Sequence, residues 1–124
     1  MARFAADTVL DGGLSAIKTG ALAMWALNSS AYTIADASAN KLAAHTTASA
    51  DYTIAADGSG RKVTTATASG VTVDTSGTFN HVALTTGADG ALLFVTTGTS
   101  QPLGAGNTVD FPAWVISIAQ PTAP

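Results

Sequence analysis

The sequence predicts a mainly β fold, in the form of a small β-sandwich or barrel-like domain with one short N-terminal helix. The first reason is that residues 51–119 contain short runs of β-type residues separated by turn signals, at the spacing of about 8–12 residues that is typical of such folds. The second is that residues 7–19 carry apolar residues at helical spacing. The third is length, since 124 residues suit one domain, 1–124, built around one core.

The helix is predicted over residues 7–19, with Asp7 as its N-terminal capping residue and Gly20 at its C-terminal stop. Apolar residues recur in it at intervals of four and three, at Leu10, Leu14 and Ile17. The adjacent Gly12 and Gly13 each cost about 1 kcal/mol relative to alanine. We therefore expect the helix to depend on packing against the rest of the protein.

The chain between this helix and residue 51 holds two predicted segments. The compact apolar run at residues 22–27 fits a buried strand better than a helix. Residues 31–50 are rich in Ala, Ser and Thr with few large apolar residues. They predict a loose connection with one helical turn around Asn40–Ala44.

The β-rich core is expected over residues 51–119, followed by a short tail at 120–124. The predicted strands span residues 51–55, 61–67, 71–75, 79–85, 91–97, 107–111 and 113–119. A tight turn is expected at 57–60 and a hairpin turn at 88–90 because both contain Asp and Gly. The glycine-rich stretch 103–107 lacks the lysine and following helix of a phosphate-binding loop, so we interpret it as a strand connection.

The composition argues against several kinds of partner. Although 47% of the residues are hydrophobic, 26 residues are alanine and only 8 are aromatic, so the core must be thin. Five scattered basic residues and a net charge of −3 do not suit nucleic-acid binding. Neither a membrane-spanning run nor a secretory signal pattern is present, which predicts synthesis in the cytoplasm.

The residues that commonly carry catalysis are few. The chain has two histidines, His45 and His81, eight aspartates, no glutamate and no cysteine. Asp51 and Asp57, like Asp74, occur at predicted turns or strand ends, where aspartate commonly bonds the local backbone. His81 is expected to point away from the core, at an exposed or interface position. We predict no enzymatic activity, no cofactor and no metal site.

Trp25 and Trp114 have two interpretations. They could form a platform for stacking sugars, which would make the chain a non-catalytic carbohydrate-binding or adhesin module. The alternative that we favour makes them core residues of a domain with few aromatic side chains.

Six segments together resemble a family of small virion structural proteins of tailed bacteriophages. The segments are ADTVLDGGLSAI at 6–17, GSGRKVT at 58–64, SGVTV at 69–73, HVAL at 81–84, LLFVTT at 92–97 and GNTVDFPAW at 106–114. The resemblance covers nearly the whole chain. It implies a capsid decoration or cement protein that binds the lattice of the major capsid protein, stabilises the head and lies on the capsid surface. A tail or connector component is the alternative within the virion.

Two further expectations concern contacts with other chains. The N-terminal arm, residues 1–6, precedes the helix and carries Arg3 and Phe4, which we predict as candidate contacts with a neighbouring capsid subunit. A thin core without disulfides also favours a homo-oligomer, and a trimer would suit the threefold positions of a capsid lattice.

Overall fold

The structure, a computed structural model, describes residues 6–58, 60–87 and 90–119. It confirms the mainly β prediction, with 53% strand and 20% helix. The described part of the chain contains two α-helices, α1 and α2, at Asp7–Gly20 and Ile34–Ala39. The strands β1 to β9 span, in order, Ala23–Leu27, Lys41–Thr46, Tyr52–Asp57, Gly60–Thr65, Ala68–Thr72, Gly77–Thr85, Leu92–Leu103, Thr108–Phe111 and Val115–Ile118.

The strands form three antiparallel sheets. A four-stranded sheet has the order β2-β1-β6-β7, a three-stranded sheet the order β3-β4-β9, and β5 pairs with β8. One cluster of buried side chains includes residues from α1 and from strands of all three sheets. The core is therefore not confined to residues 51–119, because β1 and β2 belong to the largest sheet.

Strand β1 is buried on both faces, as the apolar run at residues 22–27 predicts. Met24 and Ala26 pack into the main cluster. Trp25 and Leu27 point to the other face, where they pack in a second, smaller cluster with Ala37 of α2. A strand that is covered on both sides needs apolar residues at every position, which explains the uninterrupted run.

The prediction for residues 31–50 is wrong. This segment is not a loose connection, because it contains α2, β2 and a 3-10 turn at Ser49–Asp51. The helical turn is predicted around Asn40–Ala44, but Asn40 caps the C-terminus of α2 and the residues after it belong to β2. The true helix starts earlier, where the Thr33 hydroxyl accepts a 3.1 Å hydrogen bond from the Asp36 backbone N–H. Strand β2 is formed by its pairing with β1. Because most of its residues are small, the sequence has no periodic apolar pattern that would predict this pairing.

Helix α1 is found where it is predicted, with differences at both ends. Its N-terminal capping position is Ala6 and not Asp7, and Gly20 is the last helical residue. The apolar stripe is buried, as expected, at Leu10, Leu14 and Ile17. The ammonium of Lys18 binds the carbonyls of Ser49 and Tyr52 at 2.8 and 2.6 Å. The helix is thus fixed to the start of β3.

Two strands differ clearly from their predicted limits, while the other five predicted strands in 51–119 have ends within two residues of those expected. Strand β5 lies at 68–72 instead of 71–75, and Val73 instead forms an isolated bridge to Ala43 of β2. Strand β7 continues to Leu103 instead of ending at residue 97. Its second half is polar and is paired to β6 by backbone contacts, so no apolar alternation marks it.

Candidate interface at strand β7

A groove lies between the second half of β7 and the segment that joins β8 to β9, and we call it the β7–β9 groove. Its volume is about 690 Å³. Aromatic rings line it, from Phe79, Phe111 and Trp114. The polar groups of its lining are the side chains of Thr96, Thr97, Thr99, Gln101 and Asp110.

Gly98 allows the ring of Phe79 to lie against β7. A Cβ atom at Gly98 would lie 2.6 Å from Cζ of Phe79 and 2.7 Å from its Cε1, which is too close for carbon atoms. The β6–β7 register is also irregular here, since Phe79 pairs with Gln101 but His81 pairs with Thr97. The glycine and the irregular register together shape this wall of the groove.

Trp114 is held by hydrogen bonds and by ring stacking. Its backbone N–H donates to the Thr65 hydroxyl over 3.0 Å, and its carbonyl accepts from the Thr65 N–H over 2.9 Å. The Trp114 ring stacks on Phe94 with centroids 6.0 Å apart and planes 28° apart. The indole nitrogen is buried without a hydrogen-bond partner among the described residues. Trp114 is therefore half in the core and half in the groove.

Trp25, the other candidate for sugar stacking, is a core residue. Only 2% of it is exposed. The Lys41 ammonium lies 4.9 Å from its ring centroid, at cation–π distance. The interpretation of Trp25 as a structural residue is correct, and the ring is inaccessible to a ligand.

One edge of the four-stranded sheet is covered by another segment of the chain, and the other edge is open. The β2 edge is covered, because the Leu42 carbonyl accepts hydrogen bonds from the backbone N–H groups of Asp74 and Thr75 at 2.8 and 3.2 Å. Among the described residues, β7 pairs only with β6, so its second edge is open. No residue of β7 is charged.

A second depression, of about 550 Å³, lies beside the first half of β7, near the loop at residues 30–32. We call it the Tyr32 depression. Tyr32 lines it with 88% of its surface exposed, and Leu92 and Val95 contribute from β7. His81 also lines it, with Nδ1 2.7 Å from the Asn80 side-chain oxygen. The prediction that His81 points away from the main core agrees with this position.

The structure does not gather the titratable residues into a centre. Within residues 6–58, 60–87 and 90–119, no group of three or more His, Cys, Asp or Glu side chains is placed to hold a metal ion. Asp51 accepts a hydrogen bond from the Ala48 backbone N–H over 2.8 Å, which is the local role expected of a turn aspartate. The described helices include none long and apolar enough to span a bilayer.

The predicted interface residues Arg3 and Phe4 lie outside the described residues. Sequence reasoning missed the open edge of β7, the Tyr32 depression and the contact between Gly98 and Phe79. Of these, the open edge of β7 has a sequence signal, because none of the twelve residues of this strand is charged, whereas charges are common on protected edge strands.

Comparison of the chain with protein-family models, with curated proteins and with solved structures found no match.

Proposed function

We propose that this chain is a non-enzymatic structural protein of a tailed-bacteriophage virion, which decorates the capsid surface and stabilises the head. The observation that carries this proposal is the β7–β9 groove, where the partly buried rings of Phe79 and Trp114 lie beside threonine hydroxyls. Aromatic groups of this kind are the usual anchors of protein–protein interfaces. The partner that we propose, the lattice of the major capsid protein, is the one that the resemblance of the sequence to phage virion proteins implies.

The charge of the groove supports a protein partner. Asp110 is the only charged group among the described lining residues, and its carboxylate already accepts a hydrogen bond of 2.8 Å from the Gly70 backbone N–H. Such a lining suits an uncharged protein surface, whereas a nucleic-acid backbone requires lysines and arginines.

The proposed mechanism is thermodynamic linkage. A protein that binds only the assembled lattice stabilises that lattice by about 2.7 kcal/mol per site when its concentration is 100 times its Kd. Because a shell repeats the same site many times, small contributions add up to a substantial resistance to internal pressure.

Arg3 and Phe4 of the N-terminal arm stay predicted as additional contacts with the capsid subunit.

The test is co-sedimentation of the purified chain with preformed heads that lack it. Val115→Lys places a charge in the groove at a residue that is 46% exposed. We expect it to weaken head binding by about tenfold or more while thermal stability is retained. Thr72→Lys, at an exposed position of β5 outside the groove, is the matched control and should bind like the unmodified chain. Absence of binding by the unmodified chain would overturn the proposal.

Copy number separates the two virion roles. Quantitative mass spectrometry of purified virions should find hundreds of copies if the chain decorates the shell. A handful of copies would instead indicate a tail or connector component.

A second candidate function, carbohydrate binding, is favoured by one observation: Trp114 shares the groove with threonine hydroxyls and with the amide of Gln101. An aromatic ring beside such polar groups can bind a sugar. A glycan array would test this, and Gln101→Ala, at an exposed position, should remove any signal without affecting folding. An array without hits contradicts this candidate and leaves the capsid proposal standing.

A further inference from the structure

The first half of β7 has few of the features by which proteins normally protect an open sheet edge. Residues 92–97 read LLFVTT and contain no charge, no proline and no glycine. Charged side chains, prolines and bulges are the usual means of preventing an edge strand from pairing with another chain. Gly98 and Pro102 come later in β7, and the β6–β7 register is irregular at two places, between Phe79 and His81 and between Leu84 and Thr85, beside Leu93. From Phe94 to Thr97 the pairing with β6 is regular, so this stretch has none of these features. An edge stretch without such protection is expected to be paired in the working protein.

The chemistry of the edge defines what can cover it. An open edge presents a row of unpaired backbone N–H and C=O groups, and another extended strand satisfies them best. An uncharged covering strand suits this edge best, because β7 offers no countercharge.

A second copy of the same strand meets these requirements. The chain carries a net charge of −3, so two copies repel each other in general, but two β7 edges meet without any like charges in contact. In antiparallel pairing about a twofold axis at Val95, Val95 lies opposite its own counterpart and Phe94 lies opposite Thr96 of the second copy. Pairs of aromatic and β-branched residues are among the favourable cross-strand pairs.

The Tyr32 depression is a second, independent observation in favour of pairing between two β7 edges. Tyr32 exposes 88% of its surface beside Leu92 and Val95, on the same flank of β7. An aromatic residue so exposed beside half-buried aliphatic residues is typical of an interface anchor. In the paired arrangement each copy would bring its Val95 to the mouth of the other copy's depression.

We propose that the β7 edge around Val95 pairs antiparallel with the same edge of a second copy, so that two four-stranded sheets become one eight-stranded sheet flanked by Tyr32 from both copies. This interface is a homodimer contact and differs from the trimer expected from capsid symmetry. It does not depend on the proposed capsid function, because it requires only the isolated chain.

Sedimentation equilibrium of the purified chain tests the proposal. The unmodified protein should show twice its mass of 12.3 kDa at micromolar concentrations. Thr97→Lys, at an exposed position on the edge, should raise the dimer Kd by about 100-fold or more, because a lysine is the usual edge protection. Tyr32→Ala should raise it by about tenfold. Thr72→Lys adds the same charge at an exposed position on β5 and should leave the Kd unchanged.

A cross-linking experiment covers the case in which Thr97→Lys disturbs folding. The chain has no cysteine, so a single substitution reports a single contact. Opposed residues of an antiparallel pair have Cα atoms about 4.5–5.5 Å apart, which permits a disulfide. Val95→Cys should form a covalent dimer on oxidation, whereas Thr72→Cys should form no disulfide-linked dimer.

Three results would overturn the proposal. The first is that the chain stays a monomer at concentrations about 100 times above those at which we expect the dimer, which would mean that two β7 edges do not pair with each other. The second is an oligomer whose mass is insensitive to Thr97→Lys in a variant that melts like the unmodified chain. The third is an oligomer in which Val95→Cys does not cross-link. Head binding is measured separately, so failure of this inference leaves the capsid proposal untouched.

Discussion

Asp11 of α1 and Arg61 of β4 form a two-point salt bridge between the helix and the three-stranded sheet. Arg61 Nε donates to Asp11 Oδ1 over 2.8 Å and Nη2 donates to Oδ2 over 3.3 Å. The side chains are only 20% and 25% exposed. An arginine fork that engages both carboxylate oxygens is among the stronger ion pairs, because its geometry is fixed and partly shielded from water. It complements Lys18, which fixes the other end of the helix.

We expect Asp11→Asn to lower the free energy of unfolding by about 1 kcal/mol, since the pair is partly exposed and solvent screens it in part. Urea denaturation measures the change. Asp57→Asn makes the same charge change at an exposed hairpin position and should alter stability by less than about 0.5 kcal/mol. Equal effects of the two substitutions would mean that overall charge, and not the bridge, is responsible.

Thr47 and Tyr52 form a buried hydrogen-bonded pair next to the end of α1. The Thr47 hydroxyl lies 3.0 Å from the Ala21 carbonyl oxygen, to which it donates, and 2.9 Å from the Tyr52 hydroxyl. Thr47→Val keeps the shape but removes a polar partner from both groups. It should cost about 1–3 kcal/mol in thermal or urea unfolding, because buried polar atoms without partners are expensive. Thr46→Val, at the exposed neighbouring position, should cost far less.

The same tyrosine predicts a loss of stability in alkaline solution. Burial is the main reason that the pKa of Tyr52 lies above its ordinary value of 10.0; the nearby Asp51 charge adds to this, and the Thr47 hydrogen bond opposes it. As pH rises through 10, the unfolded chain releases this proton before the folded chain does, so unfolding becomes more favourable until the folded pKa is passed. Melting temperatures between pH 8 and 11 should fall more for the unmodified chain than for Tyr52→Phe. The exposed Tyr32, changed to Phe, should leave the fall as it is in the unmodified chain.

Replacing Gly12 of α1 and Gly60 of β4 by alanine should change the stability of the protein in opposite directions. A Cβ atom at Gly12 meets nothing within 4 Å, so Gly12→Ala should stabilise the protein by up to about 1 kcal/mol through helix propensity. A Cβ atom at Gly60 would lie 2.5 Å from the Ile118 carbonyl oxygen, where β4 pairs with β9. Gly60→Ala should therefore destabilise by more than about 2 kcal/mol, because a backbone must move. Calorimetric melting of the two variants should give shifts of opposite sign.

Local sequence signals predicted the elements that are fixed by their own residues. The spacing of Leu10, Leu14 and Ile17 located α1, and an uninterrupted apolar run located β1. Strand β2 was missed because Leu42 is its only large apolar residue, so its conformation follows from pairing with β1. The second half of β7 was missed for the same reason, since its residues are polar and its pairing with β6 is set by backbone contacts.

The candidate site was less predictable than the fold, because it depends on residues distant in the sequence. The position of Trp114 between core and groove requires Phe94 and Thr65, which come from two different sheets. No spacing in a single sequence encodes such a contact. What the sequence does show is the shortage of charge, and that property marks both the groove and the open edge.

Gly98 and Phe79 provide the sharpest test of how the groove is built. Gly98→Ala would press a methyl group against the Phe79 ring at 2.6 Å, so the ring must turn away or the strands must separate. We expect a loss of about 1–3 kcal/mol in urea unfolding, the usual cost of overpacking. In a Phe79→Leu background the smaller side chain leaves room for the methyl group, and alanine is otherwise preferred to glycine in a strand. The same Gly98→Ala change should then be neutral or stabilising. A double-mutant cycle measures the difference as a coupling of about 1 kcal/mol or more. Equal costs in both backgrounds would show that Gly98 is required by the backbone itself, and that the ring of Phe79 does not determine the shape of the groove.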